Sequence, residues 1–381
     1  MNKPVPERQA PTLTLPRKRG RDGRGQLGFV DCDIHPVQRS PKDLYPYLEQ
    51  RWREHIENFG GHLCQGLAAQ LPFPRMLASG MRADAYPSNG GPPGCDLELM
   101  QRQHLDLNGC ATGMMICLSR GGMEERNLEF GSALAHAVND WQIHDWVEKD
   151  QRLKAGIVVP QEYPEFAARE IDARAAENAA FRQIIISPRS IEPLGRRKYW
   201  PIYEAAARNN LVLGLHPAGN PNGHPSSGTG WGTYYMQEHY TFGTSMASNV
   251  VSLILEGVFE RFPGLKVAMI ESGFSWAPPL GWRMDNQWQR MRKETPHLTR
   301  PPSEYLREHF WFCTQPMEEP EDEADIYDVL DWIGWDRLMF SSDYPHWDYD
   351  DPAAALSFKM TDAQRAGIMR DNARALYRLG A

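Results

Sequence analysis

The sequence predicts an α/β fold, a (β/α)8 TIM barrel over residues 26–381, and three observations carry that expectation. Eight short apolar runs recur along the chain, segments of helical spacing separate most of them, and several runs close on an acid or a histidine. Apolar runs of this kind suit strands buried on both faces, the condition of a parallel sheet wrapped by helices. A doubly wound open sheet is the competing architecture. Against it, no GxGxxG follows the first run, and polar strand ends extend from the first run to the eighth. In a barrel those ends meet around one axis, at the face where such folds carry their chemistry.

The elements follow in order. Residues 1–25 include PRKRGRDGRG (16–25) without the apolar stretch that a signal peptide needs, so a flexible basic tail is expected. The first strand is LGFVDCDIH (27–35), with Asp31, Asp33 and His35 at every second position and therefore expected on one face. A long insertion, 56–100, leads to the second strand, ATGMMICLS (111–119), and the helical segment LEFGSALAHAVNDWQIHDWVEKD. KAGIVVPQ (154–161), the helix PEFAAREIDARAAEN, FRQIIISP (181–188) and the helix YWPIYEAAARN continue the alternation. The fifth strand, NLVLGLHP (210–217), opens into a second long insertion, 217–243, rich in glycine, aromatics and histidine. Such loops usually cap a site or move. The helix NVVSLILEGVFERFP, then LKVAMIESG (265–273), HFWFCTQP (309–316) and DRLMFSSDYP (336–345), complete eight units.

Composition narrows the class. Hydrophobic residues at 41% supply a core, and a net charge of -8 argues against a nucleic-acid partner. No apolar run approaches the ~20 residues of a membrane span. The six cysteines form no CxxC pair, and Cys32, Cys117 and Cys313 lie inside apolar runs, as reduced thiols of a cytoplasmic protein would.

Asp33, His35, His216, Glu271 and Asp343 each close an apolar run, so a barrel would gather two imidazoles and several carboxylates at its mouth. That donor set suits Zn²⁺, Mn²⁺ or Fe²⁺. Asp31 is left to a strand-end or supporting role. His346, three residues after Asp343, is a candidate substrate-binding or supporting group, and His239 in the long loop is within possible reach. Trp231, Tyr234, Tyr235 and Trp276 are candidates to wall a pocket for a ring.

These residues carry a resemblance. The first-strand DxH, the fifth-strand LHP, the eighth-strand SSDYPH and the closing IMRDNARALYRLG resemble the amidohydrolase superfamily from about residue 28 to the C-terminus. More closely, they resemble its branch typified by aminocarboxymuconate-semialdehyde, resorcylate and carboxyvanillate decarboxylases. The resemblance implies one divalent metal ion (Zn or Mn) on Asp33, His35, His216 and Asp343, where Asp33 replaces the commoner histidine. FRQIIISP has no lysine, so the carbamylated bridge of two-metal relatives is not available. Glu271 stands where the family places a catalytic histidine, and with Asp343 it is the candidate acid/base pair. PPLGWRMD matches a segment whose arginine binds the substrate carboxylate across a dimer; Arg283 is the matching residue, and a homodimer is the corresponding expectation. The implied activity is metal-dependent decarboxylation of a small aromatic or unsaturated carboxylate. Hydrolysis of an amide, ester or C–C bond at the same centre is the alternative, and a non-catalytic binding barrel the second.

Overall fold

The computed structural model describes residues 28–60, 80–118, 122–123, 125–217 and 225–380. The expected N-terminal tail lies outside the described residues, as does Cys64. Eight parallel strands stand in chain order in one sheet, the arrangement expected of the barrel. They are β1 Phe29–Ile34, β2 Cys110–Met115, β3 Leu153–Val158, β4 Phe181–Ile186, β5 Val212–Leu215, β6 Val267–Met269, β7 Phe310–Cys313 and β8 Leu338–Met339.

Helices fill the connections. After β1 come α1 Gln50–Phe59, α2 Leu97–Met100 and α3 Asp106–Asn108, the last two joined by a wide helical turn at 101–105. Then α4 Leu128–Trp141, α5 Pro164–Glu177 and α6 Trp200–Arg208 follow β2, β3 and β4. After β5 come α7 Tyr235–Tyr240, α8 Phe242–Leu255 and α9 Val258–Arg261. The final group is α10 Ala277–Met291, α11 Pro302–His309, α12 Glu323–Ile333, α13 Asp362–Ala366 and α14 Asn372–Tyr377. The helices begin where local chemistry favours it: Asn127 and Asp322 accept backbone N–H groups at the starts of α4 and α12, and Pro164 sits at the start of α5. Two expectations are corrected in detail. The insertion after strand 5 contains the helix α7, and each expected strand runs past the last ladder residue at its C-terminal end. Most of the described overrun residues are buried, and many of them are polar, among them His35, His216, Glu271 and Asp343.

The seam matters most for the site. β8 has two residues, and the eighth connection back to β1 is made by the segment that follows it. Phe340 O accepts Cys32 N–H at 3.0 Å, Asp33 O accepts Asp343 N–H at 3.1 Å, and Tyr344 O accepts His35 N–H at 2.8 Å. Residues 340–344 thus run beside β1 and place Asp343 next to Asp33.

Candidate metal centre

Asp33, His35 and His216 are fully buried or nearly so and gather at the mouth. One donor atom from each lies within 4.8 Å of the others, and His35, Asp343 and His346 form a second such group. His35 belongs to both. Its Nδ1 lies 2.9 Å from Ile116 O. A carbonyl can only accept, so Nδ1 carries the proton and Nε2 faces the centre. There Nε2 stands 2.7 Å from Asp343 Oδ1 and 3.0 Å from Asp33 Oδ1. A neutral imidazole would set its lone pair against two carboxylates. A positive charge in that space, whether proton or metal ion, relieves the conflict.

His216 repeats the pattern from the opposite side. Its Nε2 is 3.1 Å from Glu271 Oε2 and 3.7 Å from Asp33 Oδ2, within ion-pair distance but without hydrogen-bond alignment. Both Asp33 oxygens, both His216 nitrogens and Asp343 Oδ2 are buried without a hydrogen-bond partner. Groups so placed normally have partners, and the orphaned set is the donor chemistry of a divalent cation. The residues present fit such an ion.

The electrostatics agree. Burial pushes the Asp33 carboxyl up, but His35 and His216 outweigh it and hold the group well below the usual carboxylate range. Burial would depress His35, yet Asp33 and Asp343 raise it well above an ordinary imidazole. His216 follows the same balance, burial against Asp33 and Glu271, and ends at about 9. The acids around both imidazoles thus favour a positive charge in this pocket.

Backbone geometry aims two of the acids. Glu271 (φ 54°) and Asp343 (φ 60°) occupy the left-handed region, which is rare for residues other than glycine. Such strain persists where surrounding contacts enforce it, commonly at functional sites. For Asp343 the enforcing contact is its N–H on Asp33 O. Past Glu271, Glu318 Oε1 accepts from Phe274 N at 2.9 Å and Ser275 N at 3.1 Å, pinning the turn.

The expected comb of Asp31, Asp33 and His35 is corrected. The pairing of β1 with β2 shifts register between Asp31 and Ile34, and an irregularity of this kind re-aims side chains. Asp33 and His35 face His216, while Asp31 turns to His104, with Asp31 Oδ2 2.7 Å from His104 Nε2. His104, which the sequence reading does not single out, sits in the wide turn between α2 and α3. His346 hydrogen-bonds Asp343 through Nδ1, and its ring lies 4.6 Å from that of His35. That places it nearer the centre than a group binding substrate from a distance.

His239, on α7, reaches the site: its Nε2 lies 2.9 Å from Asp348 Oδ2 and 4.0 Å from Glu271 Oε1. The preceding residue, Glu238, is buried and bridges to Arg189 at 3.0 Å, so consecutive residues of α7 are tied to the segments that follow β4 and β8. Tyr235 packs beside His239 at 5.8 Å between ring centres, whereas Tyr234 is 69% exposed and walls nothing. Trp276 donates Nε1–H to Ser272 O at 3.0 Å and meets Phe312 edge-on. Arg283 lies on the exposed side of α10, and Glu271 pairs with His216 instead.

A parallel eight-stranded barrel whose mouth gathers acids and imidazoles around His35 defines a metal-enzyme architecture. The chain belongs to the amidohydrolase family, whose model matches residues 30–379. It is 26% identical over 258 residues to the gamma-resorcylate decarboxylase of Polaromonas sp. (strain JS666 / ATCC BAA-500), covering 64% of this chain and 76% of that one. Its fold resembles that of a dihydroxybenzoic acid decarboxylase from Polaromonas sp. JS666 with bound manganese and the inhibitor 2-nitroresorcinol. There the TM-score is 0.64 at 20% identity, over 92% of this chain and 97% of the other. It also resembles 5-carboxyvanillate decarboxylase from Novosphingobium aromaticivorans complexed with manganese and 4-hydroxy-3-methoxy-5-nitrobenzoic acid, at TM-score 0.66 and 19% identity, over 92% and 96%.

Proposed function

We propose that this chain is a metal-dependent carboxy-lyase that removes CO₂ from a small aromatic or unsaturated carboxylate. Asp33, His35, His216 and Asp343 would hold one divalent ion, manganese or zinc, and the two aspartates favour the harder manganese. The observation that carries the reading is His35 Nε2, turned to the centre because the Ile116 bond takes Nδ1–H, and set between Asp33 and Asp343 where only a positive charge fits. The relatives named above are decarboxylases of hydroxylated benzoates, which directs the substrate class.

The ion supplies positive charge for a substrate carboxylate and a neighbouring oxygen. The protein must move one proton: decarboxylation replaces the carbon–carboxylate bond by a carbon–hydrogen bond, and CO₂ leaves without any redox change. Asp343 is placed to deliver that proton: Oδ1 lies beside His35 Nε2, where the ion would sit, and hydrogen-bonds His346, while Oδ2 is left unpartnered. Glu271, held against His216, is the second acid/base group. His346 and Trp276 serve the substrate side, and Arg283 would act from a partner subunit of a homodimer in the cytoplasm. A monomer by light scattering would remove the role of Arg283.

Hydrolysis is the second reading, favoured by one observation. Glu271 stands at the edge of the donor set, where a carboxylate can protonate a leaving group. Assaying the manganese-loaded protein on hydroxybenzoates for CO₂ and on amides and esters for cleavage separates the two. CO₂ release on the first panel alone supports the lyase; cleavage on the second alone replaces it with a hydrolase.

A further inference from the structure

Asp31 is a buried acid that the reaction above does not use. It is fully buried, as is His104, and its carboxylate lies at the seam where β8 has ended and residues 340–344 close the barrel against β1. Asp31 Oδ1 accepts two backbone N–H groups, from Asp33 at 3.0 Å and from Ser342 at 3.0 Å. One belongs to a candidate ligand and the other to the residue before a second candidate ligand. A single oxygen therefore fixes the backbone beside both aspartates, across the seam where residues 340–344 meet β1.

Asp31 is itself held. His104 Nε2 lies 2.7 Å from Asp31 Oδ2, close enough for an ion pair although turned off hydrogen-bond alignment. On the other side of the ring, His104 Nδ1 is 3.1 Å from Tyr349 Oη, which accepts from Asn108 Nδ2 at 3.0 Å. With that oxygen accepting from Asn108, the tyrosine O–H is free to donate to Nδ1, which leaves the His104 proton on Nε2, facing Asp31. The His104 ring also stacks on Tyr344, 5.4 Å between centres and 13° between planes. Tyr344 follows Asp343 in sequence. The network thus grips the ligand-bearing segment twice, through Ser342 N and through the Tyr344 ring.

We infer that the Asp31–His104 pair is a positioning device that sets the separation of Asp33 and Asp343 and so the affinity of the metal centre. The inference rests on the metal reading above. Asp31 Oδ1 only accepts, so an amide oxygen there keeps both backbone hydrogen bonds, with His104 moving its proton to Nδ1 so that Nε2 accepts from the amide nitrogen. Supporting groups of this kind commonly contribute about 10- to 100-fold to metal affinity.

The test is titration of Mn²⁺ into the metal-free full-length protein by calorimetry, beside the melting temperature of each metal-free variant. Asp31→Ala should bind Mn²⁺ at least about tenfold more weakly than wild type, and Asp31→Asn within about threefold. Tyr203→Phe removes a buried hydrogen bond to Leu194 O, between α6 and the loop after β4 and so away from the seam, and should lower the melting temperature without changing affinity. If Asp31→Ala does not fold, His104→Phe, which keeps a ring against Tyr344 but removes Nε2, is judged on the same tenfold scale. An unchanged affinity in Asp31→Ala, or Asp31→Asn as weak as Asp31→Ala, overturns the inference and leaves the metal reading intact. Wild-type protein that binds no Mn²⁺ or Zn²⁺ overturns both.

Discussion

Asp343 combines a strained backbone, one occupied carboxylate oxygen and one free one, and these features assign it separate tasks. Oδ1 lies against His35 Nε2, where the ion would sit, and hydrogen-bonds His346, while Oδ2 is available to a substrate. Asp343→Asn keeps the shape and an oxygen donor but removes the transferable proton. It is expected to lower kcat by about 10²- to 10⁴-fold, the usual contribution of a positioned acid or base. Binding of a nitro-substituted ring inhibitor, followed by titration, should change far less. Equal losses in both would make Asp343 a binding residue only. At this scale the sequence was partly transparent. His35, His216 and Asp343 could be found because each is the polar residue that ends an apolar run. Asp31 is read as a strand-end or supporting residue, but alternation puts it on the same face as Asp33 and His35. Its turn toward His104 depends on the β1–β2 register, for which the local sequence holds no signal. His104 was missed for a related reason: one histidine on an otherwise ordinary helical stretch looks like a packed side chain.

Between elements, buried polar networks fix the shell of helices against the sheet. Arg174 of α5 is almost fully buried and pairs with Glu170 at 2.6 Å and with Asp140 of α4 at 2.6 Å. Asn139 of α4 donates to Glu170 Oε1 at 3.0 Å and also bonds both backbone groups of Val158 at the end of β3. Burial raises the Glu170 carboxyl, but His136 and Arg174 outweigh it and bring it down from 4.5 to about 2. A depressed carboxyl stabilises the fold fully above its unfolded value and loses that contribution as pH falls through its folded value. The expected contribution is about 3 kcal/mol at pH 5, fading between about pH 4.5 and 2. In denaturant unfolding, the stability difference between wild type and Glu170→Gln should therefore shrink as pH drops through that window. A constant difference would show that the charge on Glu170 is not what matters. These helices were readable from their 3.6-residue spacing. The short α7 was hidden by its glycine-rich, aromatic surroundings, yet the bridges Glu238–Arg189 and His239–Asp348 hold it over the mouth. Those contacts join residues far apart in sequence and leave no periodic trace.

For the whole molecule, eight strands in order bring residues from position 33 to position 343 into one space, and the acids gathered there favour a cation. Binding that ion to the native state alone raises stability by mass action, about 2.7 kcal/mol at a hundred times the dissociation constant. Manganese should accordingly raise the melting temperature by several degrees and a chelator should reverse the shift. No shift with either Mn²⁺ or Zn²⁺ would favour a barrel that binds without catalysing. Eight apolar runs revealed this architecture early, because a parallel sheet buried on both faces leaves a coarse pattern. The reaction is finer than the fold and depends on which proton moves. The decisive measurement is therefore turnover of 2,6-dihydroxybenzoate by the manganese-loaded protein in D₂O, with gas and product followed by mass spectrometry. One CO₂ should appear for each product molecule, with one non-exchanging deuterium on the carbon that bore the carboxylate, and a chelator should stop both. Hydrolytic cleavage of amides or esters with no CO₂ from this or any other hydroxybenzoate would contradict the account.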